Sequence, residues 1–277
     1  MHTIRAVRRA STTLITVVTV LAFGVGVDSA ASADSLGVDV SSWQHTRGVN
    51  WSRVKADHTT FAFIKATEGT GYVNPYFRRD WASTLRVGLY RGAYHFARPR
   101  HGNARAQARF FVRVAGSMHH RGDLPPVLDL ETTGGLRPSA LQRWTRTWLR
   151  TVRHATGRRP IVYTSPVFWR AALGNSRKFA GYPLWIAHYG VPRPQVPGGW
   201  GTWTFWQGRR NGRVAGIGGG VDRNAFHGSM RRLRRLAHAG PLHASRRRTR
   251  RSLPKESTDL RSMGTVSRLS AAPPPVG

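Results

Sequence analysis

A chain of 277 residues without a single cysteine can hold neither disulfides nor a thiolate metal site, so whatever folds must do so around an apolar core. Lysine and arginine together number 44 against 12 acidic residues, and the resulting net charge of +32 excludes an acidic or neutral surface and favours polyanionic partners. For an exported protein these are anionic cell-wall polymers, with nucleic acid bound only non-specifically.

Residues 1–33 read as an export signal, which makes the expected product a secreted one. Arg5, Arg8 and Arg9 precede an apolar run from Leu14 to Val27, and Ala31-Ser32-Ala33 supplies a cleavage site. The run is shorter than the roughly 20 residues that a bilayer span needs. Residues 34–240 are then one catalytic domain. Residues 241–277, with the run Arg246 to Arg251 followed by Ser, Pro and Thr, read as a disordered basic tail.

Within the domain, a β-like run over 36–42 carries Asp39 and leads into Trp43-Gln44. A short helix over 51–58 follows, then a strand over 61–69 that ends in Glu68 and a glycine. Pro75 starts a helix to Leu85, Gly88 to Ala97 is an aromatic strand containing Tyr94, and Asn103 is placed to cap a helix reaching about Ser117. After the next strand, Pro138 opens a long helix to Ala155. Its Leu141, Trp144, Trp148, Leu149 and Val152 recur at helical spacing, and Gly157 ends it. A strand over 159–165 and a helix over 167–173 complete five strand–helix alternations. Three further β-like runs, 184–189, 202–207 and 221–226, are joined by Gly- and Pro-rich segments with little room for helices. This rhythm predicts an α/β fold, a largely parallel barrel with an irregular last third.

The strand between the third and fourth helices, Asp123 to Glu131, is the one that points to chemistry. Asp129 and Glu131 stand at i and i+2 and so share a face, their Cβ atoms about 6.5–7 Å apart, while Leu128 and Leu130 take the other. A strand-end acid is ordinarily just a solvated group. Yet of the eight acids between Leu36 and Gly240, Asp39, Glu68, Asp129 and Asp222 each fall at or just after a separate apolar or aromatic run. In a parallel barrel, strand ends gather at the catalytic face. Crowded carboxylates suit glycosidic cleavage, because crowding raises the pKa of one of them and leaves it a proton to donate. Trp43, Tyr94, Trp185, Tyr189 and Trp206 are candidates to stack on sugar rings, each with plain core or rim packing as the alternative. The histidines show no metal-ligand spacing, Gly216 to Gly220 lacks the Lys-Ser/Thr of a phosphate loop and reads as a turn, and no nucleophile elbow is present. Neither metal nor cofactor is expected.

Taken together, Asp39-Val-Ser-Ser-Trp-Gln44, Lys65-Ala-Thr-Glu-Gly69, Tyr94-His-Phe96, Asp129-Leu-Glu131, Pro183-Leu-Trp-Ile-Ala187, Trp206-Gln207 and Val221-Asp222 resemble glycoside hydrolase family 25, the Chalaropsis-type lysozymes. The resemblance implies a modified TIM-like (β/α)5β3 barrel and hydrolysis of the β-1,4 bond between N-acetylmuramic acid and N-acetylglucosamine in peptidoglycan. It further implies Glu131 as general acid, with Asp39, Asp129 and Asp222 as acidic partners. Asp129 is then the nucleophile or the group that orients the substrate's own N-acetyl group, with retention at the anomeric carbon. Glu68 and Tyr94 match positions lining the same groove. The departures are the basic charge, the arginine at position 98 and the lack of a recognisable wall-binding module. A monomer is expected. The rival readings are a chitinase-like glycosidase, weakened by the missing Asp-x-x-Asp-x-Asp-x-Glu run, and a non-catalytic basic protein that binds wall polymer or nucleic acid.

Overall fold

A computed structural model describes residues 35–238; the segments expected from sequence to be an export signal and a basic tail lie outside the described residues. In chain order, β1 (Ser35–Val40) is followed by a 3-10 turn (Ser42–Arg47), α1 (Trp51–Ala56), β2 (Phe61–Glu68), the two-residue β3 (Tyr72–Val73) and α2 (Phe77–Arg86). Next come β4 (Tyr90–Phe96), α3 (Ala104–Ala115), β5 (Val127–Asp129), α4 (Pro138–Thr156), β6 (Ile161–Thr164) and α5 (Pro166–Leu173). Three strands, β7 (Leu184–Ala187), β8 (Phe205–Gly212) and β9 (Val221–Phe226), lead to α6 (Met230–His238).

Eight of the strands close a barrel in the order β1-β9-β8-β7-β6-β5-β4-β2, with β2 returning to β1 and β3 lying outside as an antiparallel partner of β2. Neighbours from β1 through β2 and β4 to β8 are parallel, whereas β9 runs antiparallel to both β8 and β1. Five strand–helix units and three closing strands give the (β/α)5β3 barrel expected from the sequence. Parallel strands reached by helical crossovers leave all their C-terminal ends at one rim, which is where chemistry can be assembled from distant parts of the chain.

The inner and outer faces of the strands carry separate clusters. Inside, Phe61, Phe63, Val127, Ile161, Trp185, Phe205 and Phe226 pack together, with Phe63 stacked on the Trp185 indole at 4.2 Å. Two strand glycines make room for them. A Cβ at Gly37 would fall 2.3 Å from the Phe61 ring, and one at Gly92 would fall 2.4 Å from the Phe63 ring. Outside, the α4 stripe of Leu141, Trp144, Trp148, Leu149 and Val152 is buried against the strands, as its spacing predicts.

The sequence reading did not include α6. Leu233 and Ala237 of this helix join the inner cluster and close the barrel at the end opposite the rim. Arg158 secures it. Its buried guanidinium donates to the carbonyls of Met118 and Asp123, both at 2.7 Å, and to that of Leu236 at 2.8 Å, next to the negative end of the α6 dipole. One expectation is corrected: Asn103 makes no side-chain cap for α3. Its carboxamide is used elsewhere, its oxygen accepting from the Arg100 amide and the Trp144 indole and its nitrogen donating to the Arg98 carbonyl.

Candidate active site

Alternation along β5 has the consequence the sequence required. Val127 faces the inner cluster and Leu128 and Leu130 the outer one, so Asp129 and Glu131 turn toward the barrel axis. The strand itself ends at Asp129, two residues earlier than read from sequence, although the Leu130 amide still bonds to the Tyr163 carbonyl at 3.0 Å and carries the register forward. Across the barrel, antiparallel pairing places Asp39 of β1 directly opposite Asp222 of β9. A cavity of about 360 Å³ at the C-terminal ends of the parallel strands is lined by Asp39, Asp129, Glu131 and Asp222, with Trp43, Tyr94 and Trp185 also in its wall.

Amide side chains hold the Asp39 carboxyl from two sides. Its Oδ2 accepts from Gln207 Nε2 at 2.7 Å and from Asn224 Nδ2 at 2.8 Å. Gln207 also reaches Asp222 at 3.3 Å, and its carbonyl oxygen accepts from the hydroxyls of Tyr163, at 2.7 Å, and Tyr189. Asn224 accepts in turn from the Trp185 indole at 2.8 Å. Burial, and after it the charge of Asp222, push the Asp39 carboxyl up from 3.8 to about 7, with the two amide hydrogen bonds opposing. Burial also raises Asp222.

Asp129 sits deeper, at 5% exposure, and its Oδ1 has no hydrogen-bond partner among the described residues. Burial raises its pKa well above the usual carboxylate range, and so do the charge and hydrogen bond of the adjacent Glu131; Lys65 opposes. A buried carboxylate oxygen without a donor is costlier charged than neutral, in the same direction as the raised pKa of Asp129. Glu131 is the exposed member and opens onto the cavity. The Tyr94 and Tyr163 phenols are raised well above their normal range by burial and then by the nearby carboxylates, so both stay neutral, and Tyr163 donates to Gln207.

Other sequence candidates are placed differently. Trp43, on the 3-10 turn, is 79% exposed at the cavity rim, whereas Trp185 is 2% exposed and forms floor rather than platform. Tyr189 braces Gln207 from outside the cavity lining. Trp206 is on the opposite face of β8 from Gln207. It packs into the outer cluster and donates its indole N–H to the His188 carbonyl at 2.8 Å. Glu68 does not line the cavity either. Burial alone would raise its pKa, but Lys65 at 2.5 Å and Arg98 at 2.6 Å win and hold it below the usual value. Lys65, Gln207, Asn224, Tyr163 and Arg210 are functional neighbours that the sequence reading did not single out as site residues. Gln207 lies two residues from Phe205 and shares its inward parity, a parity that the apolar Phe205-Trp206 pair leaves open in the sequence.

The raised acid at Asp39 has a measurable consequence. Its folded pKa exceeds its unfolded one, so the fold loses stability as pH climbs from about 4 to about 7 and nothing further beyond that. Asp39→Asn removes this penalty while its amide oxygen still accepts from Gln207 and Asn224. The rise from 3.8 to about 7 corresponds to about 4 kcal/mol, and discounting for the partly exposed position leaves about 2 kcal/mol. The variant is expected to melt several degrees above wild type at pH 7.5 and level with it at pH 4, measured by calorimetry at both pH values.

Residues 38–217 match the family model described as glycosyl hydrolases family 25. Lysozyme M1 of Streptomyces globisporus is 40% identical over 210 residues, which cover 73% of this chain and 71% of that protein. The N,O-diacetylmuramidase of a Chalaropsis species is 36% identical over 213 residues, 73% of this chain and 98% of that one. The chain belongs to glycosyl hydrolases family 25. The crystal structure of the bacterial lysozyme from Streptomyces coelicolor superposes with a TM-score of 0.72 at 40% identity, covering 75% of this chain and 98% of that chain. As a family 25 member the protein is a glycoside hydrolase of the lysozyme type, and family 25 membership sets the chitinase-like alternative aside.

Proposed function

We propose that this chain is a secreted muramidase that cleaves the β-1,4 bond between N-acetylmuramic acid and N-acetylglucosamine in bacterial peptidoglycan. Glu131 serves as general acid and then base. The one proton of the pair, resting on Asp129, passes to Glu131 as Glu131 donates to the leaving oxygen, and the Asp129 carboxylate left behind stabilises the charge that develops at the anomeric carbon, either by direct attack or by orienting the substrate's own N-acetyl group. The observation that carries this reading is the gathering of Asp39, Asp129, Glu131 and Asp222, from three strands far apart in sequence, around one cavity in which the Asp129–Glu131 pair keeps a proton. The exposed member of such a pair is the one that can reach a glycosidic oxygen, and the buried member is left to meet oxocarbenium-like charge from below. Retention at the anomeric carbon follows from the family 25 resemblance.

The rim indole of Trp43 is suited to stack on a sugar ring, and Tyr94 and Trp185 complete the wall and floor of its seat. Secretion rests on the leader's basic, apolar and small-residue pattern; in addition, no helix among the described residues is long and apolar enough to cross a membrane. The names of the relatives, a lysozyme and an N,O-diacetylmuramidase, support the substrate class. Mass analysis of muropeptides released from purified wall tests the proposal. Fragments with muramic acid at the reducing end are expected, and reducing-end N-acetylglucosamine or free peptides alone would contradict it.

A further inference from the structure

The strands β8 and β9 are joined by a loop, Arg213 to Gly220, that folds back onto the segment between the 3-10 turn and α1. Val49 bridges Ile217, the Asn50 amide donates to the Gly216 carbonyl at 2.7 Å, and the Gly218 amide donates to the Gly48 carbonyl at 3.4 Å. The approach depends on glycine. A Cβ at Gly216 would lie 2.5 Å from the Asn50 carbonyl oxygen, and one at Gly218 would lie 2.4 Å from the Arg47 Cβ. The run from Gly216 to Gly220, a plain turn in the sequence, is therefore the wall of a second cleft. This cleft has a volume of about 800 Å³ and is lined by Arg47, Asp57, Asn211, Arg213 and the glycine loop. It shares Asn211 and Gly220 with the lining of the acidic cavity, so the two are neighbours, and behind it Arg53 and Arg79 join Arg47 around a smaller hollow.

The charge of this cleft is opposite to that of its neighbour. None of the four arginines takes part in an ion pair among the described residues. Its acid, Asp57, is already engaged by the Ala215 amide at 3.0 Å and by Arg223 at 3.9 Å. Guanidinium forks without partners beside a polymer groove match carboxylate or phosphate oxygens, which they can hold with two parallel hydrogen bonds.

We propose that the Arg47–Arg213 cleft binds an anionic oxygen group carried by the wall polymer next to the bond being cut, an inference that rests on the muramidase reading above. Two sources carry that chemistry: the carboxylates of peptide stems and the phosphodiesters of polymers linked to the wall. The cleft then acts on affinity and leaves the chemical step alone.

The test compares wild type, the double variant Arg47→Gln/Arg213→Gln, and the charge-matched control Arg231→Gln/Arg234→Gln on the exposed face of α6 at the far end of the barrel. On intact wall the double variant is expected to raise KM about tenfold with kcat unchanged, and the control to change it less than about twofold. Wall stripped of phosphodiester polymer by hydrofluoric acid, and wall stripped of stems by an amidase, separate the sources. Closing of the KM gap on the first substrate assigns phosphodiester, and closing on the second assigns stem carboxylate. Equal KM values on intact wall, a gap that persists on both treated walls, or an equal effect from the control would overturn the proposal. Failure of wild type to release muramic reducing ends from any of the three walls would instead remove the muramidase reading beneath it.

Discussion

Glu131→Gln is expected to lower kcat on wall glycan by about 10³-fold or more while leaving wall binding as it is and without lowering the melting temperature. Glutamine keeps the size of the side chain and loses the proton that the leaving oxygen needs. Glu131 is exposed just beyond the end of β5, where the change deletes no core contact. Initial rates of reducing-sugar release, alongside a pelleting assay on insoluble wall, separate the two effects. Lysis within tenfold of wild type would remove Glu131 from the role of acid. Loss of both lysis and binding would point to misfolding, which calorimetry detects.

Asp129→Asn is expected to cut kcat by about 10²–10³-fold and yet to leave the fold as stable as wild type at pH 4 and increasingly more stable than wild type from pH 6 to pH 8. The catalytic loss follows because an amide offers no negative charge to the anomeric centre. The gain in stability follows from the sign of the shift. Burial and the Glu131 charge raise the native pKa of Asp129 well above that of the unfolded chain, so wild type loses stability as pH rises toward the native value. The neutral amide is exempt. Melting curves at pH 4, 6 and 8 measure this, and a variant less stable than wild type at every pH would show that the Asp129 carboxylate is held by partners other than those seen.

Much of this site was legible because β5 reports its own geometry. Apolar Leu128 and Leu130 alternate with acidic Asp129 and Glu131, and period-two alternation fixes the faces wherever one of them is polar. The helical stripe of α4 was equally clear. Where both faces of a strand are apolar, parity is lost. Phe205 and Trp206 could each have been the inward residue, and only the closed barrel shows that Phe205 and Gln207 face the axis. Glu68 was obscured by a backbone irregularity. Lys65 and Glu68 would sit on opposite faces of an ideal strand, but the slip in register between Lys65 and Thr67 on β2 lets them meet, and Arg98 from the end of β4 closes the clamp. Glu68, held between Lys65 and Arg98, is not part of the cavity lining. The helix α6 went unread because its apolar residues are few among arginines, although Leu233, Leu236 and Ala237 recur at the i, i+3, i+4 spacing of a one-faced helix.

Carbon-13 NMR titration of the side-chain carboxyls, with Asp129 assigned by its loss in Asp129→Asn, addresses the retained proton most directly. The expected result is a carboxyl at Asp129 that stays protonated well above the ordinary aspartate range in wild type, and that titrates lower in Glu131→Gln, where the neighbouring charge is gone. Titration of Asp129 near 4 in wild type, with no response to the change at Glu131, would contradict the shared proton on which the catalytic assignment depends.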